Sequence, residues 1–366
     1  MADATSSAWP RALVPAAIAA AGVAAGMGAA AFNLAHQGFP DFEVFWTAAR
    51  HAGDPLLYNS DYLTALQTWE PGTGPRPFVY PPTFLLMIWP FGLLPFLPAY
   101  YLWAGLSVAA IGLAAWRLVT PGWGAVLVVV TFPVLMAAAY GQSVLFAGAA
   151  LVAGATLLER RPRLGGALIA LAACIKPQLT LLSPLLLLGH WSAMRAAIVA
   201  GLALVLASFV FGAGRWLEWL GAVAEFSRTV HQLPLHFINP LSPDLNLAEK
   251  AAVVAGGLGF AAWSLRRSVA ERLVGVVAGS LCCTLYAVRP DIAILAPSGL
   301  VWVLDGRGGG SGWMRRLAGL ALLGGLVVTP FGVVAFMLAV ALAELPIWNR
   351  LLPPSAPPAR AASNGG

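Results

Sequence analysis

Charged side chains are scarce in this sequence. Only 10% of its 366 residues are Asp, Glu, Lys or Arg, and 59% are hydrophobic, whereas a soluble domain carries about a quarter charged residues. An ordinary soluble domain is therefore excluded. Apolar runs of about 18 or more residues recur along the chain, which is enough to cross a bilayer. The sequence predicts an all-α, polytopic membrane protein.

Metal-ligand and disulfide patterns are also lacking. Cys174, Cys282 and Cys283 have neither spacing, so we interpret them as small apolar residues within helices. No metal site and no cofactor are predicted. The net charge of +6 does not indicate nucleic-acid binding, because the basic residues lie in short loops between apolar runs, as the positive-inside rule expects. No cleavable signal peptide is evident, since Ala12–Phe32 is long enough to remain as a span.

The apolar runs predict about 10–12 transmembrane helices. We expect one integral-membrane domain over residues 1–350 and a disordered tail, rich in Pro, Ala and Ser, over residues 351–366. Thr83–Leu97 is interrupted by Pro90 and Pro95, so it is predicted to be a broken, interfacial or re-entrant segment. The predicted spans are Ala12–Phe32, Tyr101–Leu118, Ala125–Ala139, Val144–Leu158, Leu164–Ile175, Leu179–Gly189, Ala196–Phe211, Ala251–Leu265, Leu273–Ala287, Ile292–Leu304 and one or two within Leu317–Ala343.

Two polar loops, residues 33–82 and 212–247, interrupt the apolar pattern. The first holds five of the fifteen acidic residues, namely Asp41, Glu43, Asp54, Asp61 and Glu70. Helical spacing within it predicts two short amphipathic helices along the membrane surface, Phe42–His51 and Asp61–Trp69. Asp41 and Ser60 are predicted as their N-caps.

The arginines predict which loops share a side of the membrane. If Thr83–Leu97 does not cross, then Arg117, Arg160–Arg163 and the later arginine pairs lie on the side of the N-terminus, which should be cytoplasmic. The long loops, the Tyr140–Ser143 turn and Lys176 then lie on the opposite, extracytoplasmic side. If Thr83–Leu97 does cross, Arg160–Arg163 lies outside the cytoplasm, and the excess of arginine on the cytoplasmic side becomes smaller.

Each polar motif has a structural and a functional interpretation. Asp41 is either a helix cap or a general base that accepts a proton from a sugar hydroxyl. Glu43 and Asp54 are alternative bases, expected to be solvated. Tyr80, in the Phe-Val-Tyr-Pro-Pro sequence, is either a membrane-belt residue or part of the site.

The later motifs place polar groups at membrane depth. Gln142 needs a hydrogen-bond partner there, which is either a carbonyl or a ligand. Lys176 either snorkels or contacts a lipid-linked phosphate. Arg289 and Asp291 either pair with each other or face the site. His231 and His236 lack convincing metal spacing.

Taken in order, these motifs form a set: Asp41-Phe42 with Tyr58 after Gly53-Asp54-Pro55, Phe78–Pro82, Gly141-Gln142, Lys176-Pro177, and more loosely Tyr286 with Asp291. The set resembles glycosyltransferase family 87 of the GT-C superfamily and covers residues 41–291. One departure is Ser143, where the family commonly has Asn. The loop at 212–247 carries no motif that matches.

The resemblance implies a GT-C fold with its active site outside the cytoplasm, in a bacterial plasma membrane. It implies transfer of a hexose such as mannose from a polyprenyl-phosphate donor to a lipid-linked or glycan hydroxyl. Asp41 is then the catalytic base, and a second set of residues binds the leaving phosphate: Lys176, Arg289 and Arg76. The residues expected to bind substrate are Tyr80, Gln142, Asp291 and Tyr58.

Two other functions remain open from the sequence. One is a transporter or flippase of lipid-linked sugars, and the other is a non-catalytic subunit of an envelope-assembly complex. Transporters often contain repeats and broken helices near the midplane. The sequence shows no internal repeat and gathers its polar motifs on one face, which favours the enzyme.

Overall fold

The computed structural model describes residues 8–36, 41–67, 76–229, 237–238, 245–284, 287–304 and 312–324. Helices dominate these ranges, and the prediction of an all-α membrane protein is confirmed. The only strand pairing among the described residues joins β1 (Phe237–Ile238) to β2 (Ala287–Val288), antiparallel. The α-helices are α1 (Ala8–Ala35), α2 (Phe42–Arg50), α3 (Ser60–Ala65), α4 (Pro82–Gly92), α5 (Phe96–Trp116), α6 (Ala125–Val129), α7 (Phe132–Tyr140), α8 (Val144–Leu157), α9 (Pro162–Ile175), α10 (Trp191–Ser208), α11 (Arg215–Thr229), α12 (Leu247–Ser264), α13 (Val269–Cys283), α14 (Ala296–Leu304) and α15 (Gly312–Leu323).

Three stretches within the described residues are long and apolar enough to cross a membrane: Leu13–Ala35, Phe96–Trp116 and Trp191–Phe211. A fourth crossing is possible if Gly122–Val129 and Phe132–Tyr140, which meet at a bend of 52°, form one broken span. Helices α4, α8 and α9 are apolar but shorter. The protein is thus polytopic, and the count of 10–12 spans stays a prediction.

Proline positions explain how the helices are broken. The predicted interruption of Thr83–Leu97 is confirmed, since α4 ends at Gly92 and α5 begins after Pro95. The predicted span Leu179–Gly189 is wrong. Two 3₁₀ segments take its place, Pro177–Leu179 at its start and Ser183–Leu187 within it, and each has a proline that cannot donate a backbone hydrogen bond.

The second polar loop contains the 15-residue helix α11, which was not predicted from the sequence. His231, His236, Glu70, Tyr286 and the predicted tail at 351–366 lie outside the described residues.

Small residues let the first span pack closely on α5. A Cβ atom added at Gly26 would lie 2.3 Å from the carbonyl oxygen of Ala104, and one added at Gly22 would lie 2.6 Å from Cα of Ala109. Backbones approach this closely only where neither side chain intervenes.

An aromatic cluster joins α2, α4 and α5 beneath the polar loop. The ring of Phe42 lies 5.7 Å from that of Tyr100 and 5.4 Å from that of Trp103, and Phe84 lies 5.2 Å from Phe45. All five rings are buried. This cluster fixes the start of α2, and with it Asp41, against the membrane helices.

Helices α8 and α9 form an antiparallel hairpin whose two ends differ in character. Each has 14 residues, or about 21 Å at 1.5 Å per residue. Ser143 and Lys176 lie at one end, and Arg160, Arg161 and Arg163 lie at the other. The polar motifs and the arginine run are therefore separated by the length of the hairpin.

Candidate active site

Asp41 precedes α2 but does not cap it with its side chain. Asp41 occupies the predicted N-cap position, but its backbone is already helical (φ −57°, ψ −18°) and its side chain makes no cap hydrogen bond, so the capping role predicted for the carboxylate is wrong. The half-buried carboxylate instead accepts a hydrogen bond from Nε2 of Gln142. Ser60 was also predicted as a cap, but Asn59 takes that role by accepting the N–H of Tyr62 at 2.8 Å.

The turn between α7 and α8 presents Gln142 to Asp41. Gly141 ends α7 in the left-handed conformation with φ of 67°, which favours glycine. A Cβ atom there would also lie 2.5 Å from Cβ of Phe42. The Gly141 carbonyl accepts the indole N–H of Trp103 at 2.8 Å. Close packing and this hydrogen bond together hold Gln142, which is 4% exposed.

Lys176 follows α9 and points inward. Its ammonium is 2.5 Å from Oδ1 of Asp291 and donates to Oε1 of Gln142 at 3.3 Å. Lys176 is 2% exposed and Asp291 1%. The snorkelling interpretation of Lys176 is therefore wrong. The alternative of an Arg289–Asp291 pair is replaced by the Lys176–Asp291 pair.

These contacts form a chain of four side chains, Asp41, Gln142, Lys176 and Asp291, which we call the polar chain. Its members come from the start of α2, the α7–α8 turn, the end of α9 and the 3₁₀ helix Arg289–Leu295. Buried charges of this kind are costly unless they are paired and hydrogen-bonded. The polar chain satisfies both conditions and leaves Asp41 at its more exposed end.

Tyr80 borders the polar chain. Its ring centroid lies 5.9 Å from Nζ of Lys176, and its hydroxyl accepts a hydrogen bond from Oγ of Ser143 at 3.1 Å. Burial raises the pKa of Tyr80, and the nearby charges of Asp291 and Asp41 raise it further. The phenol therefore stays protonated at neutral pH.

Tyr58 supports Tyr80 from the polar loop. Its hydroxyl donates to the backbone carbonyl of Tyr80 at 2.9 Å, and burial raises its pKa. Ser143 is a residue that the sequence did not single out for the site. Its place directly after the Gly-Gln pair was the available signal in the sequence.

Arg76 pairs with Glu43 at 3.2 Å. Glu43 is only 3% exposed, so the expectation that it is solvated is wrong. The backbone N–H of Arg76 donates to Oγ1 of Thr64 at 2.9 Å, and its carbonyl accepts from Gln67 at 3.0 Å. Arg76 thus links α2, through Glu43, to α3, through Thr64.

Arg289 and Asp54 lie apart from the polar chain. Arg289 is exposed, and no hydrogen bond or ion pair joins it to the polar chain within the described residues. Asp54 accepts hydrogen bonds from the Tyr62 hydroxyl and, at 2.9 Å, the Leu56 N–H. These bonds lower the pKa of Asp54.

Helix α11 contacts the site from the second polar loop. The indole N–H of Trp219 donates to the carbonyl of Val79 at 3.1 Å, directly before Tyr80. Arg215 is 4% exposed and pairs with Glu218 at 2.6 Å. Nothing in the sequence of this loop indicated that contact. In the described parts of the chain, no three His, Cys, Asp or Glu side chains are grouped as for a metal ion.

A comparison with known protein families finds a match over the middle of the chain. The sequence model of glycosyltransferase family 87 matches residues 78–290, which is more than half of the chain. The match includes Tyr80, Gln142 and Lys176, while Asp291 directly follows its end and Asp41 lies well before its start. No curated protein and no solved structure matches the chain.

Proposed function

The chain belongs to glycosyltransferase family 87, and we propose that it moves a hexosyl group, such as mannosyl, from a polyprenyl-phosphate donor to a hydroxyl group. Its membership of this family and its apolar helices identify it as a membrane glycosyltransferase. The proposed acceptor is a lipid-linked or glycan hydroxyl. The proposed partners are therefore the two substrates and the surrounding membrane lipids.

The observation that carries the proposal is the polar chain that ends at Asp41. A half-buried carboxylate held by an amide donor, with a buried ammonium behind it, suits proton transfer next to a developing anion. Neither an N-cap nor an isolated surface carboxylate needs such support.

In the proposed reaction, the acceptor oxygen attacks the anomeric carbon of the donor sugar. The bond between that carbon and the phosphate oxygen breaks, and the leaving polyprenyl phosphate takes the electron pair. The acceptor proton goes to Asp41. Atoms and charge balance without any further reactant.

Positive charge opposite Asp41 would stabilise the leaving phosphate. Lys176 is the proposed first contact, because an ammonium has three N–H donors and the described residues include two acceptors for it, Asp291 and Gln142. Arg289, which is exposed and lies two residues before Asp291 in the chain, is the proposed second contact. Arg76 is paired with Glu43, so its guanidinium would have to contact the phosphate and Glu43 at the same time.

Polar groups facing the sugar would orient it. The Tyr80 hydroxyl remains protonated and can donate to a sugar or phosphate oxygen. Gln142 carries a second N–H hydrogen besides the one that it gives to Asp41, which we propose binds a sugar hydroxyl. Tyr58 is proposed to act on substrate through Tyr80, whose carbonyl it holds.

The proposed location is a bacterial plasma membrane with the site facing the periplasm. Support comes from the α8–α9 hairpin, because Lys176 and Gln142 lie at the end opposite to Arg160–Arg163. Arginine-rich loops remain in the cytoplasm by the positive-inside rule.

A transfer assay tests the donor class. Membranes that contain the full chain are given either a radiolabelled polyprenyl-phosphate mannose or a nucleotide-linked mannose, with and without detergent-extracted envelope lipids as acceptor. When endogenous synthesis of polyprenyl-phosphate sugars is blocked, the proposal predicts labelled product from the polyprenyl donor and none from the nucleotide sugar. Product that forms only from the nucleotide sugar under that block would contradict it.

A further inference from the structure

Asp291 uses both oxygens of its carboxylate inside the protein. Oδ1 accepts from the Lys176 ammonium at 2.5 Å, and Oδ2 accepts the backbone N–H of Val288 at 3.1 Å. The second bond secures the start of the 3₁₀ helix Arg289–Leu295. A carboxylate has two acceptor oxygens, whereas an asparagine amide has one. Only a carboxylate can therefore make both bonds.

Lys176 transmits this arrangement to Gln142. An ammonium donates hydrogen bonds and cannot accept them. It must therefore face the oxygen of the Gln142 side chain, and the Oε1 atom lies 3.3 Å away. The Nε2 end of the amide is then turned toward Asp41, to which it donates. The position of Lys176 thus selects the orientation of the amide.

We propose that Asp291 is a positioning residue for the base Asp41. It holds Lys176 against Gln142, and Gln142 orients the carboxylate of Asp41 for proton transfer. This inference rests on the proposed function. It differs from the predicted role of Asp291 in substrate binding, because both oxygens of Asp291 are engaged within the protein.

Positioning differs in its kinetics from the two other roles that Asp291 could have. Loss of a positioning residue lowers kcat and leaves the KM for the donor nearly unchanged. Loss of a substrate contact raises KM. A purely structural residue changes the amount of folded protein but not the kcat of the folded fraction.

The first test compares Asp291→Asn with Asp291→Glu in the purified full chain. The donor is polyprenyl-phosphate mannose of one defined chain length, and kcat is expressed per folded protein. Asp291→Asn should lose on the order of 10-fold to 100-fold in kcat, the equivalent of one hydrogen bond to a charged group. Asp291→Glu, which keeps the charge, should recover part of this loss. Wild-type kcat in Asp291→Asn, or a raised KM at unchanged kcat, would overturn the inference.

The second test separates positioning from charge compensation. Lys176→Met and Asp291→Leu each leave one buried charge without its partner, whereas the double variant leaves none. The double variant should recover thermal stability relative to either single variant but should not recover kcat, because it lacks both the positioning carboxylate and the proposed phosphate contact. Recovery of kcat together with stability would show that the pair only compensates buried charge, and would overturn the positioning role of Asp291 together with the phosphate contact of Lys176.

The two tests also separate this inference from the proposed function. If the wild-type protein transfers no sugar from polyprenyl phosphates, the proposed function fails and this inference fails with it. If the wild-type protein is active and Asp291→Asn keeps its kcat, only this inference fails.

Discussion

The side-chain amide of Gln142 donates a hydrogen bond to the carboxylate of Asp41, although 101 positions separate the two residues in the chain. The contact joins the polar loop to the membrane helices. It also links Asp41 to the buried Lys176–Asp291 pair, so a half-buried carboxylate depends on groups deep in the protein.

Substitution of Gln142 tests whether this hydrogen bond matters to catalysis. Gln142→Ala removes a donor to a charged group, which is worth about 1.5–3 kcal/mol, so kcat should fall by about 10-fold to 100-fold. Gln142→Glu should be more damaging, because it places a second carboxylate against Asp41. Steady-state kinetics on both variants checks this order. A fully active Gln142→Glu protein would contradict the proposed arrangement.

Close packing of α1 on α5 predicts unequal effects of two neighbouring substitutions. Gly26→Ala places a Cβ atom 2.3 Å from the Ala104 carbonyl oxygen, whereas nothing lies within 4 Å of a Cβ at Gly28. Overpacking at Gly26 should reduce the free energy of unfolding by about 1–3 kcal/mol. Gly28→Ala, the matched control, should be neutral or stabilising by about 0.5–1 kcal/mol. Thermal unfolding in detergent measures both, and equal midpoints for the two variants would refute the packing.

Single cysteines at the two ends of the fold test the proposed orientation. Asp61 and Arg160 are both exposed, and the proposed orientation, which rests on the positive-inside rule, places them on opposite sides of the membrane. In intact cells, Asp61→Cys should react with a membrane-impermeant maleimide, whereas Arg160→Cys should react only after lysis. The parent chain, with Cys174, Cys282 and Cys283, supplies the background. The reverse labelling pattern would overturn the orientation.

Much of the fold could be predicted from the sequence because its signals are local. Apolar length identified α1, α5 and α10, and Pro95 marked the break before α5. The prediction failed at Leu179–Gly189, where apolar length favoured a span. Pro177 and Pro184 interrupt the helical hydrogen bonds there.

The sequence singled out the residues of the polar chain but not the bonds between them. Asp41, Gln142 and Lys176 stood out as polar groups in or next to apolar sequence. Which of them bond to one another depends on how distant elements pack, which no local pattern records. Asp41 illustrates this, because its place before a helix favoured a cap while its carboxylate turns to Gln142. Trp219 of α11 shows the same limit, since its contact with Val79 spans 140 positions.

Substitution of Asp41 tests the central claim most directly. Asp41→Asn keeps an oxygen that can accept from Gln142 but cannot take up a proton at neutral pH, so the local structure should persist. Asp61→Asn, an exposed carboxylate in the same loop, is the matched control. With polyprenyl-phosphate mannose as donor, Asp41→Asn should lose about 10²-fold to 10⁴-fold in turnover at unchanged abundance, and Asp61→Asn should retain wild-type turnover. Wild-type turnover in Asp41→Asn would contradict the assignment of Asp41 as the base.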